Sequence, residues 1–132
     1  MSEYTSTQEG FQRAMEWSLS GDPNDAKAYA EALSTPNFYQ IMNGKRLEYD
    51  TYVKGIAEWR GKVSEYNPVV HEFLRDGDLL SAHMTGTIKV DGAPIFFESF
   101  MFAKVHKESG KMEHLIERSV WGPVGQDPTH GV

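Results

Sequence analysis

The chain contains no cysteine. That absence removes disulfides, thiolate nucleophiles and cysteine-held zinc at once. There is also no run of about eighteen apolar residues, the length a helix needs to cross a bilayer, so no contact with a membrane is expected. The opening MSEYTSTQEGFQ lacks both the basic and the apolar block of a secretory signal, and the expected compartment is the cytoplasm. Lysine and arginine nowhere cluster, and a formal net charge of −6 argues against a nucleic-acid surface. G-x-G-x-x-G, Walker A, G-x-S-x-G and H-E-x-x-H are all missing. Nucleotide cofactors, an α/β-hydrolase serine and a zincin site are therefore unsupported, and the chain is expected to use no cofactor and no metal.

What remains is an ordinary composition, 39% hydrophobic and 24% charged over 132 residues, which suits one domain with a real core. That domain is expected to span 1–132, with its core at about 8–121 and a flexible Gly/Pro-rich tail, GPVGQDPTHGV, at 122–132. Residues 8–19 place Phe11, Met15 and Leu19 four apart beside Ala14, a helical stripe. Gly21-Asp22-Pro23 stops this helix, with Asp22 a cap and Pro23 a first-turn residue for a second helix over 24–33. Ser34-Thr35-Pro36 reads as its end. Asn43-Gly44 is the strongest hairpin signal in the chain, and residues 50–60 read as a third helix.

From 62 to 121 the chain reads as four long strands. They are separated by turn signals at 75–78, 90–93 and 107–110, where Asp and Gly tolerate positive φ. Helices followed by an antiparallel meander predict an α+β fold: three helices on one face of a curved, mainly antiparallel sheet, a cone with an internal cavity. Such a cavity is where a small-molecule site is expected.

Ionisable residues are planted inside these strands, and alternation sorts them into faces. In SAHMTGT, Ser81, His83, Thr85 and Thr87 share one face, which either lines a wet pocket or meets solvent. His83 is a candidate proton-transfer group, because imidazole changes charge near neutral pH. His71 and Glu72 are adjacent and should point oppositely, one into a pocket, with His71 favoured. On IFFESFMF, the small and soft set Phe97, Ser99, Met101 and Ala103 suits a ligand cavity. The set Phe96, Glu98, Phe100 and Phe102 suits a subunit interface, so a homodimer through the outer sheet face is expected. Either Glu117 or Arg118 faces inward, and alternation does not say which. A carboxylate in a dry pocket has a raised pKa and serves as general acid or base. Arg46 and Tyr49 follow the Asn-Gly turn at the expected mouth, where an arginine could hold a carbonyl or enolate oxygen, or else be a solvated hairpin charge.

The element order resembles the SnoaL-like branch of the nuclear-transport-factor-two-like superfamily. So do the Asn43-Gly44 hairpin before the third helix, the Val70-His71-Glu72-Phe73 strand, the Gly77-Asp78 turn before Leu79-Leu80-Ser81-Ala82, and the closing Ser109-Gly110-Lys111-Met112-Glu113-His114. The resemblance covers roughly 8–121. The stretches around His71-Glu72 and Ala82-His83 also resemble fungal members that rearrange terpenoid and alkaloid intermediates. The chain departs at Val120, roughly where polyketide cyclases of that family carry an aspartate. The resemblance implies a cofactor-free isomerase or cyclase that performs acid–base rearrangement of an apolar, polycyclic secondary metabolite such as a polyketide, terpenoid or alkaloid intermediate. Dehydratase, epoxide hydrolase and non-catalytic binding or dimerisation modules share the fold and stay open. His83, with His71 or Glu117, is the expected acid–base pair, and Arg46 the expected oxyanion partner. Helix aromatics form cavity walls in this fold, which adds Trp17, Tyr29 and Trp59 to Tyr49, Ser99, Met101 and Arg118 as expected substrate contacts.

Overall fold

A computed structural model describes residues 2–123. The predicted flexible tail lies, from residue 124 on, outside the described residues, while 122 and 123 belong to the last strand.

The first helix, α1, spans Gln8–Ser18, and Thr7 caps it by accepting from the Gly10 N–H at 3.0 Å. Phe11, Ala14 and Met15 form its buried stripe. Asp22 accepts from the Asn24 N–H at 2.8 Å and starts a short 3₁₀ turn, Pro23–Asp25, that leads into α2, Ala26–Leu33. The third helix, α3, spans Tyr49–Lys62 and buries Tyr52, Ile56 and Arg60. Arg60 is a buried cation with a structural task. Its Nε donates to the carbonyl of Ser18 at 3.1 Å, Nη1 to Asp22 at 3.0 Å and Nη2 to Trp17 at 2.7 Å. These carbonyls sit at and just past the end of α1, where helical partners run out and positive charge is favoured. One side chain thus ties α3 to α1.

The strands are β1 (Ser34–Met42), β2 (Lys45–Glu48), β3 (Val63–Asp76), β4 (Leu79–Val90), β5 (Ala93–Val105) and β6 (Met112–Pro123). They form a six-stranded sheet in the order β2-β1-β6-β5-β4-β3. The β1–β6 pair is parallel and the other neighbours are antiparallel. The three tight hairpins use the expected chemistry, with positive φ at Asn43 (49°) and Gly44 (86°), at Gly77 (61°), and at Asp91 (50°) and Gly92 (82°). The three helices pack against this curved, mainly antiparallel sheet, which is the α+β fold predicted from the order of periodic segments. Ser34-Thr35-Pro36 does end α2, at Leu33, but no loop follows. The same residues open β1, because the chain passes directly from helix to extended backbone at Ser34.

Candidate active site

The sheet's inner face follows from alternation along its long strands. β4 turns Leu80, Ala82, Met84 and Ile88 inward, and β5 turns in Phe97, Met101 and Ala103 together with the buried hydroxyl of Ser99. Between β4 and β5 the register runs without interruption from Leu79↔Lys104 to Val90↔Ala93, so these faces stay in phase. Gly86 makes room for this arrangement. A Cβ there would lie 2.6 Å from both the Phe97 ring and the Asn67 carbonyl, so only glycine lets that ring lie flat on the sheet.

Between sheet and helices lies a cavity of about 370 Å³. Met15, Tyr29, Tyr52 and Ile56 wall it from the helices, and Met84, Phe97, Met101 and Leu115 from the sheet. Its polar groups are few and grouped. Glu117 of β6 faces the cavity beside Gln40, Ser99 and Ser119. Gln40 Nε2 donates to one carboxyl oxygen of Glu117 at 3.1 Å, and Ser119 Oγ donates to the other at 2.9 Å. Ser99 Oγ lies 2.5 Å from Ser119 Oγ and extends the chain of hydroxyls. Loss of hydration raises the pKa of Glu117 above the usual carboxylate range, and the hydrogen bonds from Ser119, Ser99 and Gln40 oppose it only in part. The phenols of Tyr29 and Tyr52 interact on the helix side. Burial pushes both well above the ordinary tyrosine range, and the nearby Glu117 charge adds to that, so both remain hydrogen-bond donors.

Asn43 fixes where this carboxyl stands. Its backbone N–H donates to the Glu117 carbonyl at 2.9 Å, its side-chain oxygen accepts from the Ser119 N–H at 2.9 Å, and its amide nitrogen donates to the Ser119 carbonyl at 3.2 Å. The residue read as a turn former is therefore also a clamp on the β6 backbone from Glu117 to Ser119. Trp59 of α3 and Trp121 of β6 are the most exposed aromatic lining residues, and they mark the cavity mouth.

Of the residues singled out from the sequence, Glu117, Tyr29, Trp59, Ser99 and Met101 line this cavity. Trp17 stands behind it, meeting the Tyr29 ring edge-on at 5.3 Å. Tyr49, at the start of α3, is half-buried and is not among the lining residues. Arg118 points the other way, its guanidinium beside Gly44 at the β1–β2 turn. The choice between positions 117 and 118 that alternation left open is thus settled in favour of the carboxylate.

The expectation that His83 and His71 line the cavity is corrected. The polar face of β4 is the outer one, because its opposite, Leu80 to Ile88, is what the helices cover. His83 Nε2 lies 2.7 Å from a Glu98 carboxylate oxygen, and its ring stacks on Phe100 at 4.8 Å. His71 and Glu72 do not take opposite faces. The β3–β4 register shifts between Val70↔Met84 and Glu72↔His83, which makes His71 the extra residue of a β-bulge. Both side chains then emerge outside: His71 Nε2 is 2.6 Å from Thr85 Oγ1, and Glu72 approaches His83 Nδ1 at 3.8 Å. Arg46 is corrected too. It is exposed on β2, 2.5 Å from Glu48 and stacked 3.8 Å over the Tyr39 ring, so it holds no oxygen inside the cone. Val120 likewise points outward, while its neighbour Ser119 occupies the inner face.

Sequence reasoning missed Gln40, Tyr66 and Trp121 as lining residues, and Ser119 as the hydroxyl that donates to Glu117. For Ser119 and Trp121 a signal existed, since both follow Glu117 at intervals of two on one strand. Gln40 carried none, because its inward position depends on β1 pairing in parallel with β6, 75 residues further on in the register Gln40↔Leu115.

No protein-family model matches the chain, and no curated protein matches it. Solved structures do. BvnE pinacolase from Penicillium brevicompactum superposes with a TM-score of 0.71 at 9% identity, over 89% of this chain and 82% of that one. PrhC from Penicillium brasilianum gives 0.67 at 10% identity over 89% and 78%. An LEH-like epoxide hydrolase of M. tuberculosis gives 0.63 at 15% over 83% and 81%. A de novo designed protein of the NTF2 fold superposes as well, with a TM-score of 0.58 at 18% identity over 85% of each chain. At these identities the likeness establishes the fold, which is nuclear-transport-factor-two-like.

Proposed function

We propose that the protein is a cofactor-independent acid–base enzyme, an isomerase or cyclase of a neutral, apolar, polycyclic secondary metabolite, working in the cytoplasm as a SnoaL-like member of this fold. One observation carries the reading. Among the described residues, a single carboxyl group, Glu117, stands in a largely apolar cavity with its pKa raised and no cation beside it. Such a group holds its proton further up the pH scale than an ordinary carboxylate, so it can give one to a substrate and take one back. Tyr52 or Tyr29, kept protonated by burial, supplies a hydrogen bond to the substrate oxygen on which charge develops. The apolar walls exclude water, which strengthens both interactions. The pinacolase and epoxide-hydrolase neighbours support an enzymatic reading of the cavity without naming the reaction.

The test is hydrogen exchange. A set of neutral unsaturated cyclic ketones is incubated with the protein in D₂O, and deuterium at the carbon next to the carbonyl is followed by mass spectrometry. Exchange faster than in buffer and lost in Glu117→Gln supports the proposal. Binding without exchange in any member of the set points instead to a non-catalytic small-molecule-binding module.

We propose in addition that the outer sheet face pairs with a second copy of the chain. Phe102, 61% exposed on β5, lies opposite the exposed Ile116 of β6, with Phe100 two residues before it on the same face. A row this apolar is costly to leave in water.

A further inference from the structure

We propose that Gly55, Trp59 and Trp121 form a slot at the cavity mouth that selects substrates carrying a flat, unsaturated fused-ring system; this rests on the cavity being the substrate site. Gly55 lies in the middle of α3, where glycine weakens a helix relative to alanine. It lines the cavity, and a Cβ built on it would meet no atom within 4 Å. Nothing in the packing requires a glycine there, so a local rule is broken on the wall of the site, where function is the usual reason. The same helix face carries Tyr52 three residues before and Trp59 four residues after. The missing side chain therefore leaves a niche between a phenol and an indole.

Across the mouth, Trp59 faces Trp121 at a centroid separation of 5.6 Å with planes 28° apart. Each indole stays 39% exposed. Trp121 then stacks on Phe97 at 4.9 Å and 24°, and Phe97 on Tyr66 at 6.0 Å and 23°. Four rings, each tilted 23–28° from the next, thus run from the mouth into the interior. A flat ring seated between the two indoles needs a van der Waals contact of about 3.5 Å on each face, so the pair has only to part slightly. Both residues sit close to the ends of their elements, α3 ending at Lys62 and the described part of β6 at Pro123. A puckered, saturated ring is thicker and offers no π face to either indole. Among the described residues the lining holds no lysine, arginine or histidine, which turns away anionic ligands.

The test compares 2-naphthol with its fully hydrogenated counterpart, decahydro-2-naphthol, by titration calorimetry on the whole protein. Two aromatic contacts predict that the flat alcohol binds about tenfold tighter. Trp121→Leu should erase that ratio. Gly55→Leu, which adds a good helix former, should fold and weaken 2-naphthol about tenfold by filling the niche, with phenol, too short to reach it, unaffected. Equal affinity of the two alcohols for the wild type, no binding of 2-naphthol, or a Gly55→Leu protein that binds it normally would each overturn the slot. The ratio is also measured in Glu117→Gln. Its persistence there while deuterium exchange is lost supports the slot independently of the proton chemistry. A protein that exchanges deuterium but shows no flat-ring preference sinks the slot and leaves the acid–base reading standing.

Discussion

Glutamine at position 117 keeps the shape of the side chain and removes its proton. In the wild type the two carboxyl oxygens accept from Gln40 at 3.1 Å and Ser119 at 2.9 Å. An amide can keep the first bond, and Ser119 can accept from its NH₂ while donating to Ser99, 2.5 Å away. The fold should therefore survive. A positioned proton-transfer group contributes about 10²–10⁴-fold in rate, which is roughly 3–5 kcal/mol of barrier. Turnover of Glu117→Gln should fall by that factor with KM little changed, since the pocket keeps its walls. Stability gives a second readout with a definite sign. Burial raises the folded carboxyl's pKa above its unfolded value. Below the ordinary carboxylate range, about 4.3, both states hold the proton and the contribution of the neutral group is complete. As pH rises from there, the unfolded chain releases its proton first, so stability falls until the raised folded pKa is passed, and it does not return. Thermal unfolding of both proteins across that window should show the decline in the wild type and its absence in Glu117→Gln. Wild-type turnover in the variant, or the same decline in both proteins, would refute the assignment.

Four further outcomes follow from where the side chains sit. Arg60→Met strips three hydrogen bonds from carbonyls at the end of α1 and should cost on the order of 2 kcal/mol, read as a lower urea midpoint at unchanged slope. Gly86→Ala forces a methyl group to 2.6 Å from Phe97 and the Asn67 carbonyl, and should destabilise by about 1–3 kcal/mol while disturbing the cavity wall, which near-ultraviolet circular dichroism would detect. Phe102→Lys should leave thermal stability nearly unchanged and shift sedimentation from dimer to monomer, whereas His83→Ala, also on the outer face, should leave turnover intact.

Most of the architecture was legible because its signals are local. Asn43-Gly44 and Asp91-Gly92 announce turns that need positive φ, and the alternation in IFFESFMF sorts Phe97, Ser99 and Met101 from Phe96, Phe100 and Phe102. What alternation cannot supply is which face the helices cover. His83 was set on the correct side of its own strand, yet a row of serine, threonine and histidine reads equally well as pocket or exterior. His71 failed for another reason. A single bulged residue puts its side chain on the same face as that of Glu72, and nothing in Val70-His71-Glu72 marks a bulge. Gln40 and Asn43 reach the site through the parallel β1–β6 pairing, a contact between distant parts of the chain. No histidine shares the cavity with Glu117; Tyr29 and Tyr52 of the helices do, and their inward position depends on how the helices pack, which no local pattern shows.

The proposed chemistry depends on the protonation of one carboxyl group. Infrared difference spectroscopy between the wild type and Glu117→Gln, recorded as pH is raised, isolates the carbonyl stretch of that group from every other carboxylate. A protonated carboxyl band that persists above the ordinary carboxylate range and disappears with the glutamine is the predicted result. A band lost at or below about 4.3, the ordinary value for glutamate, would mean that Glu117 is solvated and ionised and would contradict the proposed chemistry.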